Sequence, residues 1–350
     1  MASKDPCYNR AMSFGSVVLE KFLRRSLAAA WAGMVLFGMT TNLVVSAQSL
    51  PTESTVKATL PDEAVGIDGI VKALISAYDQ ADIVALGEAH ARKADSDLRI
   101  ALVRQADFAK KVRIIVIECG STTEQPTLDR YIRGEPVPRT QLEKVWKTTT
   151  QAANGFCDSP IYSDFLAAVR DVNSKLPSNS QIRILGGDPG PGDDRSREVA
   201  AVNVLKEQAL SKHEKALVIY GAAHFYRNMS AIEDYASSMG EDIGLTTRLD
   251  KDYPGRTLAV IPIGLLDRPP AVARDIFPDY LQFDRALATR VRPVMISLQR
   301  PPFRDLRAEE FLGRTLTTCR GGDGCRSVFK DSTLRIGQIA DACIYFGGKK

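Results

Sequence analysis

The chain has 350 residues, 44% of them hydrophobic, with 46 basic against 42 acidic side chains. That suffices for a large core in one big domain or two modest ones. Residues 1–47 hold five basic side chains (Lys4, Arg10, Lys21, Arg24, Arg25) and two acidic ones (Asp5, Glu20), which leaves 41 against 40, or +1, for the rest. A body without basic excess or aromatic-interleaved basic stretches argues against nucleic acid as a partner.

In chain order, the N-terminus reads as a secretory signal. Lys21-Phe22-Leu23-Arg24-Arg25 supplies the positive region, Leu27 to Val45 is uncharged and mostly apolar, and Val45-Ser46-Ala47 offers small residues for cleavage near Ala47. The uncharged stretch approaches the ~20 residues that span a bilayer. Thr40-Thr41-Asn42 interrupts it, so export to a periplasm or the medium is preferred to a retained anchor, and a membrane enters only through this segment. The start is Met1 or Met12. Residues 48–66, polar with Pro51 and Pro61, read as a linker, and residues 67–350 as one domain.

Ile67, Ile70, Val71, Leu74, Ile75 and Tyr78 follow helical spacing. A buried strand is expected over 82–86, a helix over 94–110 and a second strand over 113–117. Helical patterns over 140–152 and 161–175 lie in a stretch too long for one crossover helix; residues 121–177 are read as a helical insertion. Strands are expected over 182–185 and 216–220, with a helix between them capped by Asp193 and Asp194. Further strands are expected over 257–263, 293–298 and 342–346, separated by loop-rich stretches at 264–292 and 299–335. This alternation predicts an α/β fold: a mostly parallel sheet with flanking helices and a helical insertion capping the C-terminal edge of the sheet.

Two of three histidines occupy matching places, Gly87-Glu88-Ala89-His90 and Gly221-Ala222-Ala223-His224, each after an apolar run. Residues just past parallel strands face the crevice where open α/β sheets bind ligands. The predicted strand ends therefore deliver Glu88 and His90, Glu118, Asp188 and His224, the candidate catalytic set. Arg92, Tyr226 and Arg227 are candidate contacts for a small-molecule substrate. Two mechanisms stay open: a divalent metal held by His90, His224 and Glu118 that activates water, or a carboxylate-oriented histidine acting as general base. On this reading Glu118→Gln abolishes activity and changes stability little. No His-Glu-x-x-His or Gly-x-Ser-x-Gly occurs. The prolines of Gly186-Gly187-Asp188-Pro189-Gly190-Pro191-Gly192 remove donors that a phosphate loop needs.

Five cysteines follow the signal. Cys319 and Cys325 flank a glycine-rich loop that a disulfide could close after export. Cys119 reads as a small buried residue rather than a nucleophile. Partners for Cys157 and Cys343 stay open, and the odd count leaves at least one thiol free or intermolecular.

The two histidine motifs with Glu118 resemble the superfamily uniting erythromycin esterases with ChaN-type haem-binding and Tiki proteins. Leu128 to Glu135, Trp146, Tyr162 to Asn173 and Asp341 to Phe346 are similar to its erythromycin-esterase-like branch, over roughly residues 80–346. The resemblance implies an α/β core with a helical cap and, in the esterase members, ester hydrolysis by activated water, with His90 as general base and Glu88, Glu118 and His224 lining the cleft. Asp188 joins that set from strand order alone. The glycine usual after the first histidine of that branch is Ala91 here. Other branches bind haem or use a divalent metal, so a haem- or metal-binding envelope protein without catalysis is the alternative.

Overall fold

A computed structural model describes residues 58–228, 244–263, 278–311, 317–320, 324–327 and 333–347. The signal segment lies outside them. Along the chain, β1 (Glu63–Val65) leads into α1 (Gly66–Ala77), β2 (Ile83–Glu88), α2 (Lys93–Val103), α3 (Ala106–Lys111) and β3 (Ile114–Ser121). The insertion then supplies α4 (Gln125–Ile132), α5 (Arg139–Leu142), α6 (Lys144–Lys147) and α7 (Pro160–Asn173). β4 (Arg183–Asp188), α8 (Arg197–Gln208), β5 (Ala216–Gly221), β6 (Thr257–Ile263) and β7 (Val294–Ser297) follow. A short hairpin, β8 (Thr317–Arg320) and β9 (Gly324–Ser327), precedes β10 (Ala342–Tyr345).

The expected α/β architecture is present. Eight strands form one sheet in the order β1-β7-β10-β6-β2-β5-β3-β4. Strands β10, β6, β2, β5, β3 and β4 run parallel, while β7 and β1 add an antiparallel edge. β2 and β5 are buried along their whole length, as continuous apolar runs in a sheet covered on both faces require. Ile115, Ile117, Leu217 and Ile219 pack on one face with α1, α2 and α7, and Ala85, Val116, Val218 and Ala259 on the other with α8. Among the described residues no helix is long and apolar enough to cross a membrane.

Four boundaries differ from the sequence reading. The linker extends too far, because Glu63–Val65 pairs with β7 and Ala58 and Leu60 are buried. The helix expected over 94–110 breaks at Gln105, whose extended backbone turns the chain so that Phe108 packs edge-on against Tyr78. The helix over 140–152 stops at Thr148, because Thr150 and Gln151 turn toward the strand ends (below). Ser196, not Asp193 or Asp194, caps α8; Asp193 pairs with Arg195 instead. The loop-rich stretch 264–292 also contains a helix, Pro278–Leu287.

Candidate functional site

Strand order explains why the site assembles. β5 lies between β2 and β3, with Glu88 in register with Gly221 and Ile117 with Ile219. The C-terminal ends of three adjacent strands therefore meet. The register between β3 and β4 slips between Ile117 and Ser121, a bulge of the kind that re-aims side chains beside active sites. Glu118 sits in that slip.

His90 is 30% exposed and lies at the lip of the crevice. Its Nδ1 is 3.1 Å from Glu88 Oε1, and its Nε2 is 3.9 Å from Glu118 Oε2. Phe156, from the insertion, stacks on the imidazole with centroids 4.1 Å apart. Glu88 also accepts a 2.6 Å hydrogen bond from the Tyr162 hydroxyl and an ion-paired bond from Arg99. Burial, then the Glu88 charge, push the Tyr162 phenol well above its ordinary value, so it stays a donor. Arg99 is buried against the rings of Tyr162 and Phe165. The turn after His90 puts Ala91 at φ 58°, a left-handed conformation that favours glycine.

Glu118 is 1% exposed and the hub of the cluster. Its Oε1 accepts from Gln151 Nε2 at 2.5 Å and Arg197 Nη1 at 2.8 Å, and lies 3.2 Å from His224 Nε2. Its Oε2 accepts from the Gly221 N–H at 2.6 Å. A Cβ at Gly221 would lie 2.7 Å from His90 Nε2, so a side chain there would press on the imidazole. His224 is buried, its Nδ1 hydrogen-bonded to Glu198 and its Nε2 to Glu118. Burial opposes its charge, but Glu118 and Glu198 outweigh burial and push it up to about 9. Burial likewise opposes ionisation of Glu118 and Glu198, and His224 chiefly outweighs it, holding both below the ordinary carboxylate value. His224 is thus an imidazolium clamped between two carboxylates at neutral pH.

The structure brings together His90, Glu88, Glu118 and His224 and corrects the remaining assignments. Asp188 is fully buried one strand further out, on β4, accepting from the Thr150 N–H (2.8 Å), the Thr150 hydroxyl (2.6 Å) and the Gly190 N–H (2.8 Å). It is an anchor for the insertion. Arg92 is spent on Asp95 and lies over the Phe346 ring. Tyr226 packs in the core beneath the sheet. Arg227 is held by Asp250, Asp341 and the Thr257 carbonyl. The metal reading also fails on its donor set. Both His224 nitrogens bond carboxylates and Glu118 is already engaged by four donors; among the described residues no group of three is placed to hold a metal ion. Cys119 forms a disulfide with Cys157, so it is neither a nucleophile nor a lone small residue. Cys343 is free and buried. Cys319 stands opposite Cys325 across the β8–β9 hairpin; their side chains lie outside those described.

Sequence reasoning missed Gln151, Tyr162, Arg99, Arg197, Glu198 and Phe156. Arg197-Glu198 just past the Ser196 cap carried a signal, since the start of a helix after a parallel strand points into the crevice. The insertion residues carried none.

Residues 74–176 match the family model described as Haem-binding uptake, Tiki superfamily, ChaN. The matched segment includes Glu88, His90 and Glu118 but stops before His224, and it bears out the superfamily expected from the strand-end motifs. A Bacillus cereus protein is similar over 84% of this chain and 95% of its own at 13% identity and a TM-score of 0.47. The erythromycin esterase EreC in its open conformation is similar over 81% and 94% at 10% identity and a TM-score of 0.49. ChaN of Campylobacter jejuni, with cofacial heme, is similar over 56% and 86% at 14% identity and a TM-score of 0.30. No argument rests on scores this low. No curated protein matches the chain.

Proposed function

We propose that the protein is a hydrolase of an ester, and only secondarily of an amide, that activates water with His90. The arrangement around His90 carries this reading. Its Nδ1 is held by the Glu88 carboxylate, which fixes the tautomer with a lone pair on Nε2. Nε2 takes a proton from water as the water oxygen bonds to the acyl carbon. The carbonyl electrons move to oxygen, and the resulting oxyanion meets Arg197, the partly exposed cation beside Glu118. On collapse the carbon–oxygen bond to the leaving group breaks, and His90 returns the proton to the departing alkoxide. His224 acts at one remove: its charge holds Glu118 ionised, and Glu118 in turn fixes Arg197.

The test is a panel of chromogenic esters. Turnover by the native protein, lost in His90→Ala with the fold retained, supports the reading; equal turnover by the variant overturns it. A second reading, haem binding without catalysis, is favoured by the description of the matched family model. His90 would hold the haem iron, because an Nδ1 held by a carboxylate is the arrangement ligating histidines use. A Soret band on haem addition, lost in His90→Ala, would favour it. Export remains part of the proposal, supported by the Cys119–Cys157 bridge, since disulfides persist in oxidising compartments.

A further inference from the structure

We propose that residues 148–159 form a strap that positions His90, and that the Cys119–Cys157 disulfide is its anchor. The inference rests on the reading of His90 as the base. Cys119 is next to Glu118 and Cys157 is next to Phe156, so a single bond joins the neighbour of the central carboxylate to the neighbour of the ring stacked on His90. The other tethers run to the same strand ends. Thr150 is held by Asp188 on β4, and Gln151 by Glu118 on β3. Asp158 accepts from the Trp146 indole at 2.8 Å, closing the far side. Between the tethers, Ala153, Asn154 and Gly155 are exposed, and Gly155 takes a left-handed φ of 73°. Residues 153–155 therefore have little packing of their own; Phe156 is half-buried against the core, and the bridge holds the residue next to it.

The chemical consequence concerns orientation. Glu88 fixes one edge of the imidazole and Phe156 lies along one of its faces within 17° of parallel. Together they leave Nε2 directed at Gly221 and Glu118. A base held in its reactive orientation pays no ordering entropy at each turnover. Phe156 and the bridge are positioning residues, not catalytic ones.

The test uses the full chain and the proton resonances of its three histidines, assigned with His90→Ala. In the native protein the His90 ring proton is expected upfield, shielded by the stacked Phe156 ring. The double variant Cys119→Ala/Cys157→Ala leaves every other cysteine in place. The expected result is loss of that upfield shift with the His224 resonance unmoved, and the same loss in Phe156→Leu. Where an ester is turned over, kcat falls about tenfold with KM within about twofold. Retention of the shielded His90 signal in a folded double variant overturns the proposal. Failure of the double variant to fold, together with an unshifted His90 signal in Phe156→Leu, also overturns it, because the bridge is then only a fold-holding link. If it fails to fold while Phe156→Leu loses the shift, native protein reduced with a dithiol and alkylated decides, by the same resonance. Absence of ester turnover in every form sinks the esterase reading alone; the spectra still decide the strap.

Discussion

The two histidine motifs end neighbouring strands in the same direction, yet they build opposite environments. After β2 the chain turns outward through Ala91, leaving His90 30% exposed with one carboxylate in hydrogen-bond reach. After β5 a 3-10 turn over Ala222–Phe225 folds His224 inward under α8, 7% exposed and between two carboxylates. The shared Gly-x-x-His spacing thus places one histidine two residues past its strand and the other three, and it does not fix their charge state. One histidine is free to exchange a proton with a substrate; the other is a buried cation that organises the site.

That contrast breaks most sharply in paired substitutions. His90→Ala is expected to lower ester turnover by about 10²–10⁴-fold, the usual worth of a general base, with the melting temperature nearly unchanged. His224→Gln is expected to cost roughly 3–5 kcal/mol in urea unfolding, because it strips the cation from two buried carboxylates. Equal destabilisation by the two variants would erase the distinction. Glu118→Gln belongs with His224, against the expectation from sequence. It removes the charge that balances His224 and Arg197, so stability and activity are expected to fall together.

The pH dependence of stability sharpens the same point. His224 titrates at about 9 in the folded protein against ~6.5 unfolded. Its contribution is therefore fully present below ~6.5, declines as pH rises, and is gone above about 9. Glu118 and Glu198 are held below their ordinary values, so their contribution is present above ~4.3 and is lost as pH falls. Unfolding free energy should peak between about pH 5 and 6.5 and drop on the order of 2–3 kcal/mol toward pH 9. His224→Gln should flatten the alkaline limb.

Much of this was legible from residue order. The buried parallel strands follow from apolar runs, and the convergence of Glu88, His90, Glu118 and His224 follows from their positions at strand ends. What failed has three separate causes. Strand order in the sheet is not chain order: β5 inserts between β2 and β3, and β4 is displaced to the edge, so Asp188 matches the others in level but not in location. Arg92 and Arg227 failed because a cation near a site is satisfied first by nearer carboxylates, Asp95 for one and Asp250 and Asp341 for the other. Tyr162, Gln151 and Phe156 come from an insertion whose packing no periodicity encodes.

Gly221→Ala probes the gap between the histidines with a smaller expected effect. The backbone of Gly221, at φ −50° and ψ 136°, suits alanine. The new Cβ would press on His90 Nε2, 2.7 Å away, and stand 3.5 Å from Glu118 Oε2. His90, at the lip, is the group that yields. Turnover is expected to fall about tenfold to a hundredfold, as for a displacement near 1 Å, with urea unfolding little changed. Unaltered kinetics would mean that the position of Nε2 is not limiting.

The smallest expected effect is the most discriminating for the edge strand. In Asp188→Asn the side-chain oxygen can still accept the N–H groups of Thr150 and Gly190, and the new amide can donate to the Thr150 hydroxyl in place of the bond it received. All three hydrogen bonds, two of them to the strap, survive without charge. A carboxylate that moved protons would lose about a hundredfold or more on the same change. An anchor should lose less than about threefold in kcat and on the order of 1 kcal/mol in stability. A hundredfold loss would return Asp188 to the reacting group and extend the site from three strand ends to four.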